Sequence, residues 1–167
     1  MSAAAKQQPI VSLSERYVDG VQRAQSWHIP GMVDLGIAAL ESDPAPFQRI
    51  SRYQIQRLAE TCTLNSKNYA VVSVKEGKVV ASLCALVHDQ MVYERKQASI
   101  VQWFSIDRPT GLSTSGFGLM KQFFEWAREQ RKIKSIVFTE EIEADPRIGR
   151  WLERQGFCKV STFVEWR

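Results

Sequence analysis

The stretch Ser113-Thr114-Ser115-Gly116-Phe117-Gly118-Leu119-Met120 holds the residues best able to do chemistry through their main chain. A strand-like run, Ala98 to Ile106, precedes it, and an amphipathic pattern ending in Trp126-Ala127-Arg128 follows, so the order is strand, glycine turn, helix. Two glycines two apart let backbone N–H groups approach an anion closely, because no Cβ stands in the way. The helix that follows adds its N-terminal N–H groups and the positive end of its dipole. That is the physics of a phosphate or pyrophosphate cradle. A plain tight turn uses the same residues, so the pattern alone does not separate the two.

Side chains able to move a proton are scattered. Glu41, Asp107, Glu140, Glu141, Glu143, Tyr53 and His88 stand at or beside the ends of expected elements. The charge run Glu140 to Glu143 also reads as a solvated loop, and His88, closing an apolar strand, as a core histidine. His28 and His88 are far apart, and Cys62, Cys84 and Cys158 form no Cys-x-x-Cys pair, so metal-ligand spacing is absent and no metal is expected. An odd number of cysteines in apolar or helical contexts points to buried thiols in a reducing compartment rather than to a disulfide framework.

A length of 167 residues suffices for one substantial core without metal or disulfide staples. With 44% hydrophobic and 24% charged residues, the composition is that of an ordinary globular domain. The formal charge of +4 is mild, and in Arg128-Glu129-Gln130-Arg131-Lys132 basic and acidic residues interleave. They read as solvated helix faces, so nucleic acid is not expected as the main partner. No apolar run approaches the ~20 residues of a membrane span, and no signal-peptide core is visible, so a cytoplasmic chain with no membrane partner is expected.

The elements that must position these residues follow from periodicity and breakers. Residues 1–17 are expected to form a flexible or partner-ordered arm, and residues 18–167 a single domain. Val18 to Gln25 is a first strand. Pro30 opens a helix carrying Met32, Val33, Gly36, Ile37 and Leu40, which stops by Ser42 ahead of Pro44. A second helix runs from about Phe47, with Phe47, Ile50, Ile55, Leu58 and Cys62 on one face. Tyr69 to Val74 and Val79 to Val87 are strands joined at Glu76-Gly77, and Ala98 to Ile106 is the next. The helix after the glycine turn presents Leu119, Met120, Phe123, Phe124 and Ala127 to the core, and Ile133 to Phe138 is a further strand. Asp145-Pro146 starts a last helix that ends at Gly156, before strand material from Phe157 to Trp166. The fold class is therefore α/β (α+β): a mixed, mostly antiparallel sheet with helices on both faces, in the order β-α-α-β-β-β-α-β-α-β.

This order, the Ser113 to Gly118 frame and the ending Arg154-Gln155-Gly156-Phe157 together resemble the GNAT superfamily of acyl-CoA-dependent N-acetyltransferases, over residues 18 to 166. The phrases Phe124-Glu125-Trp126-Ala127-Arg128, Asp145-Pro146-Arg147-Ile148 and Trp151 to Phe157 look most like the GNAT-like proteins of tailed bacteriophages. The resemblance implies acetyl-CoA as co-substrate. Its pyrophosphate would rest on the loop Ser113, Ser115, Gly116, Phe117 and Gly118, and its pantetheine on the backbone edge of Phe104, Ser105 and Ile106. An acyl carbonyl held there would be polarised by a main-chain N–H. It also implies direct transfer to a primary amine of a small-molecule or protein acceptor. Three departures stand out: Ser113 replaces the usual Gln or Arg, Leu152 stands where the family often has an acidic Tyr, and the strand before the loop offers Ser99 and Gln102 instead of a Glu. Catalytic candidates are then Glu41, Asp107 and Glu141, while Arg108 could meet a phosphate or a surface carboxylate.

The alternative is a non-catalytic GNAT-fold structural or interaction protein of a phage virion, with other virion proteins as partners and a virion-associated location. Met1 to Ser14 lack a core-facing period in either case. Their deletion is expected to shift the stability of the isolated protein by less than about 1 kcal/mol in denaturant melts. A deletion that unfolds the monomer would show that the arm supplies a strand or cap.

Overall fold

The computed structural model describes residues 18–42, 50–90, 94–106, 114–137, 150–151 and 153–156. Among them five strands form one sheet in the order β1-β2-β3-β4-β5. β1 (Gly20–Arg23), β2 (Tyr69–Lys75), β3 (Lys78–Asp89) and β4 (Lys96–Ser105) are successively antiparallel, and β5 (Ile133–Val137) runs parallel to β4. A short 3-10 turn (Ser26–His28), α1 (Ile29–Ser42) and α2 (Arg52–Leu64) lie between β1 and β2, while α3 (Thr114–Glu129) forms the crossover from β4 to β5. The mixed, mostly antiparallel sheet expected from the sequence is what forms.

The period-2 alternation of the strands feeds two cores. Val71, Leu83, Ile100 and Trp103 point to one face and pack under Leu119 and Phe123 of α3. Val72, Val74 and Cys84 point to the other and pack under Met32 and Val33 of α1 and Cys62 of α2. Central β3 is buried on both faces from Ala81 to Ala85, which explains its near-continuous apolar run. At the sheet margin the Arg23 guanidinium lies 4.0 Å from the Tyr69 ring centroid, and Tyr69 stacks on Trp126 of α3 at 4.5 Å. Arg23 also donates to the Asn68 carbonyl at 2.6 Å, so one side chain ties β1 and β2 to the helix above them. Burial lowers the Arg23 pKa and raises that of Tyr69.

Several boundaries differ from expectation, each for a local reason. β1 is four residues, shorter than Val18 to Gln25. α2 begins at Arg52 rather than near Phe47, because Ser51 caps it by accepting from the Gln54 N–H at 3.3 Å. Ile50 is therefore outside the helix and exposed, and Phe47 lies outside the described residues. The largest correction concerns Gly116 and Gly118: they are not in a turn but inside α3, which already starts at Thr114. His88 is exposed on β3 opposite Gln97 instead of buried, and His28 is the fully buried histidine, its Nδ1 accepting from the Gln25 N–H at 3.0 Å. The arm, the Asp145-Pro146 helix start and the strand from Phe157 fall outside the described residues. Gly156 has φ 86°, the left-handed geometry of a helix C-cap. No helix of the described residues is long and apolar enough to cross a membrane.

The hairpin between β2 and β3 turns through Glu76 at φ 52° and Gly77 at φ 71°. Both central positions of such a tight turn need positive φ; glycine adopts it freely, whereas a side chain such as Glu costs about 1–2 kcal/mol. Glu76→Asn, which tolerates that geometry better, is expected to raise stability by roughly 0.5–1 kcal/mol in a urea titration. A lower midpoint would mean that the Glu76 side chain makes a stabilising contact that outweighs its backbone cost.

Candidate active site

β4 carries the geometry that matters. It pairs with β3 along its length, but its pairing with β5 runs only from Lys96↔Ile133 to Ser99↔Val137 among the described residues. That pairing reaches Val137, the last described residue of β5. The register against β3 slips between Cys84↔Gln102 and Ala85↔Ile100, leaving Val101 as an extra residue. Such a bulge bends its strand and sharpens the local twist. It also puts Val101 and Gln102 on the same face, toward α1 and α2, before Trp103 returns to the α3 side.

Past the bulge, backbone groups alternate. The Ile106 N–H donates to the Val80 carbonyl at 2.8 Å, so Ile106, and two residues earlier Phe104, direct their main chain at β3. Trp103 and Ser105 direct theirs the other way, toward the side of β4 on which β5 pairs. Of the three residues expected along that edge, Ser105 faces it, whereas the N–H of Ile106 is committed to β3. The Ile106 side chain is exposed at 66%. Phe104 packs toward α1.

α3 ends over the same place. Its first residue is Thr114, so the first-turn amides of Thr114 and Ser115 precede any acceptor within the helix, while the Gly118 N–H falls inside the helical ladder. Gly118 serves packing: a Cβ there would meet Val21 Cγ2 of β1 at 3.2 Å. The Trp103 Nε1–H donates to the Gly116 carbonyl at 3.1 Å, a buried bond fixing the start of α3 over β4. Phe117 stands edge-on to both Trp103 and Trp151, with centroids 6.3 and 5.9 Å away, and Trp151 also meets Phe124 at 5.3 Å. These rings join β4, α3 and the helical residues around Trp151.

The expected proton carriers do not converge here among the described residues. Glu41 is exposed in the last turn of α1, five residues beyond Gly36, or about 7.5 Å along the axis. Tyr53 is exposed, with the Arg57 guanidinium 5.7 Å from its ring. Asp107, Arg108, Ser113, Glu140, Glu141, Glu143 and Leu152 lie outside the described residues. Ser99 pairs with Val137, the last described residue of β5.

Gln102 and Ser82 are polar residues whose position the sequence did not reveal. Gln102 is 4% exposed and Ser82 fully buried, and neither side chain has a hydrogen-bond partner among the described residues. Beside them lies Cys84, whose hydrogen bond with Cys62, with burial behind it, pushes its thiol pKa well up. A protonated buried thiol is a poor nucleophile. The break in spacing from Ala98 and Ile100 to Trp103 was the signal that could have located the bulge, and with it the face of Gln102.

No protein-family model matches the sequence, and no curated protein matches it either. Solved structures do. A predicted acetyltransferase of Clostridium acetobutylicum, crystallised with acetyl-CoA, superposes with TM-score 0.64 at 14% identity, covering 88% of this chain and 94% of its own. A possible acetyltransferase of Clostridium difficile gives 0.63 at 9% identity over 88% and 95%. An aminoglycoside acetyltransferase from an uncultured soil metagenomic sample, in complex with sisomicin, gives 0.54 at 17% identity over 88% and 95%. The chain has the GNAT-like acetyltransferase fold.

The Trp103–Gly116 bond yields a direct test. Trp103→Phe keeps the ring packing but leaves a buried carbonyl with one partner fewer, at a cost of about 1–2 kcal/mol. The melting midpoint is expected to fall by roughly 2–6 °C. An unchanged midpoint would show that the start of α3 is held by other contacts.

Proposed function

We propose that the protein is an acetyl-CoA-dependent N-acetyltransferase acting on a primary amine. The observation that carries this reading is the N-terminal turn of α3 fixed over β4 by the Trp103–Gly116 bond, in a fold shared with acetyltransferases of which one was crystallised with acetyl-CoA. In this reading the pyrophosphate rests at Ser113, Ser115, Gly116 and Phe117, where the first-turn amides and the helix dipole favour an anion. The pantetheine runs along β4 at Phe104, Ser105 and Ile106, with the outward main chain of Trp103 also within its path.

Acetyl-CoA supplies an activated thioester. The amine nitrogen attacks its carbonyl carbon; an N–C bond forms, the C–S bond breaks, and the sulfur leaves as a thiolate that takes up a proton. A main-chain N–H at the edge stabilises the oxyanion of the tetrahedral intermediate. The attacking nitrogen must be neutral and must shed a proton afterwards, for which Glu41, Asp107 and Glu141 are the candidate bases. The raised pKa of Cys84 supports direct attack over an acyl-cysteine intermediate. An amine-bearing small molecule is the favoured acceptor, in line with the sisomicin held by one structural neighbour. A cytoplasmic location fits this chemistry.

A second reading, a non-catalytic GNAT-fold component of a phage virion, draws support from Gln102 and Leu152 standing where the family often has Glu and Tyr. Melting curves discriminate the two. Acetyl-CoA at about 100 times its dissociation constant is expected to add about 2.7 kcal/mol, or roughly 5–10 °C. Ser115→Glu places a negative charge in the first turn of α3, which suits the helix dipole but repels a pyrophosphate. Its own midpoint should hold while the acetyl-CoA shift disappears. No shift in the unmodified protein rejects the transferase reading.

A further inference from the structure

Cys62 of α2 and Cys84 of β3 meet inside the core layer between the sheet and the helices α1 and α2. Both are fully buried and both are free thiols. The end of α2, the whole of β2 and the hairpin separate them along the chain, yet a hydrogen bond joins the two side chains. Ala59, one turn before Cys62 and also fully buried, is small enough to let α2 sit close to the strand. Two sulfurs in contact have a chemistry that the apolar residues around them lack, since together they can give up two electrons. A disulfide bond is about 2 Å long with its Cβ atoms about 4 Å apart, so a small settling of α2 onto β3 closes it.

The two thiols differ in how they are held. Of the thirteen residues of α2, only Ala59 and Cys62 are fully buried, while Ile55 and Leu58 are half-buried. β3 is central: it pairs with β2 on one side and β4 on the other, and it is buried on both faces from Ala81 to Ala85. An element secured by few buried side chains opens locally before the middle of a sheet does. Opening of α2 therefore presents Cys62 to a small solute and leaves Cys84 in place beneath it. The hydrogen bond to Cys62 and burial push the Cys84 thiol up, which keeps it protonated and a poor first target for an oxidant.

We propose that Cys62 and Cys84 form a redox site at which hydrogen peroxide joins α2 to β3 through a reversible disulfide. The Cys62 sulfur attacks one peroxide oxygen and the O–O bond breaks. Cys62 becomes a sulfenic acid, and the departing hydroxide leaves as water with the Cys62 proton. When α2 returns, the Cys84 sulfur attacks the sulfenic sulfur and the S–O bond breaks. The departing hydroxide takes the Cys84 proton and leaves as a second water. Two thiols and one peroxide thus give one disulfide and two waters, with two electrons passing from sulfur to oxygen. A dithiol reductant reverses the step by thiol–disulfide exchange. The bond staples α2 to the middle of the sheet, and with it Ile55, which α2 places beside Gly36 of α1. None of this depends on the transferase reading.

The test treats the full chain with hydrogen peroxide at neutral pH, blocks remaining thiols by alkylation, and maps non-reduced tryptic peptides by mass spectrometry. Trypsin leaves the three cysteines on separate peptides, Leu58–Lys67, Val79–Arg95 and Gln155–Lys159, so each pairing has its own mass. The expected product joins the first two peptides with the loss of two hydrogens. The three thiols of the chain should fall to one, and dithiothreitol should restore them. Closing a loop of about 20 residues constrains the unfolded chain, so the oxidised protein is expected to melt roughly 5–10 °C higher than the reduced one. Cys62→Ala and Cys84→Ala should each abolish that shift. In Cys84→Ala the oxidation should stop at a Cys62 sulfenic acid that dimedone traps. A main product linked through Cys158 or between two chains would overturn the proposal. So would Cys62 and Cys84 thiols that stay free after peroxide, or a midpoint that falls once the bond has formed.

Discussion

The extra residue in β4 is the constraint on which the rest of the structure depends. A strand in the middle of a sheet ordinarily keeps one register along each partner. Here Val101 is inserted opposite the Cys84–Ala85 step, so β4 slips by one residue against β3. The slip turns Val101 and Gln102 toward α1 and α2 and returns Trp103 to the α3 side, where its Nε1–H reaches the Gly116 carbonyl. One extra residue thus sets which side chains of β4 meet each layer of helices.

The surrounding packing fixes both layers on this strand. On one face the buried Trp103 spans from β4 to the Gly116 carbonyl, and Phe117, Phe124 and Trp151 extend the ring contacts to the helical residues around Trp151. On the other face Gly36 lets α1 approach β4 closely, since an added Cβ would stand 3.1 to 3.3 Å from Gln102, Ile55 and Phe104. The two faces thus use opposite means, large rings and a missing side chain, to position the start of a helix and a polar strand residue within one short stretch of β4.

Charge plays a smaller part. The described salt bridges, Arg52–Asp34, Lys96–Asp89 and Lys121–Glu125, lie at exposed positions where solvent screens them. Lys96 still holds the Asp89 carboxyl below its usual range. Arg23 is different, since rings and a carbonyl receive its guanidinium at the sheet margin. Its role is to bind β1 and β2 to α3.

Much of the fold was legible because it is written in local periods. Valine alternation in Tyr69 to Val74, the Glu76-Gly77 turn, the apolar stripe of Leu119, Met120, Phe123, Phe124 and Ala127, and the Gly156 cap each follow from a few neighbouring residues. Helix starts were less legible: Ser51 decided one by capping, and Thr114 precedes both glycines that had suggested a turn. The site was least legible, because its decisive events are non-local. Whether Gln102 faces α1 or α3 depends on a slipped register with β3, a strand more than a dozen residues earlier. Whether Gly118 cradles a ligand or packs on Val21 depends on where a helix begins relative to β1. The sequence by itself determined the fold class, the strand-to-helix crossover and the residue types available for chemistry, since short-range sterics and burial periods govern those. Only the tertiary structure decided where β4 slips against β3 and which polar side chains that slip buries toward α1 and α2, since pairing between distant segments is a property of the assembled sheet.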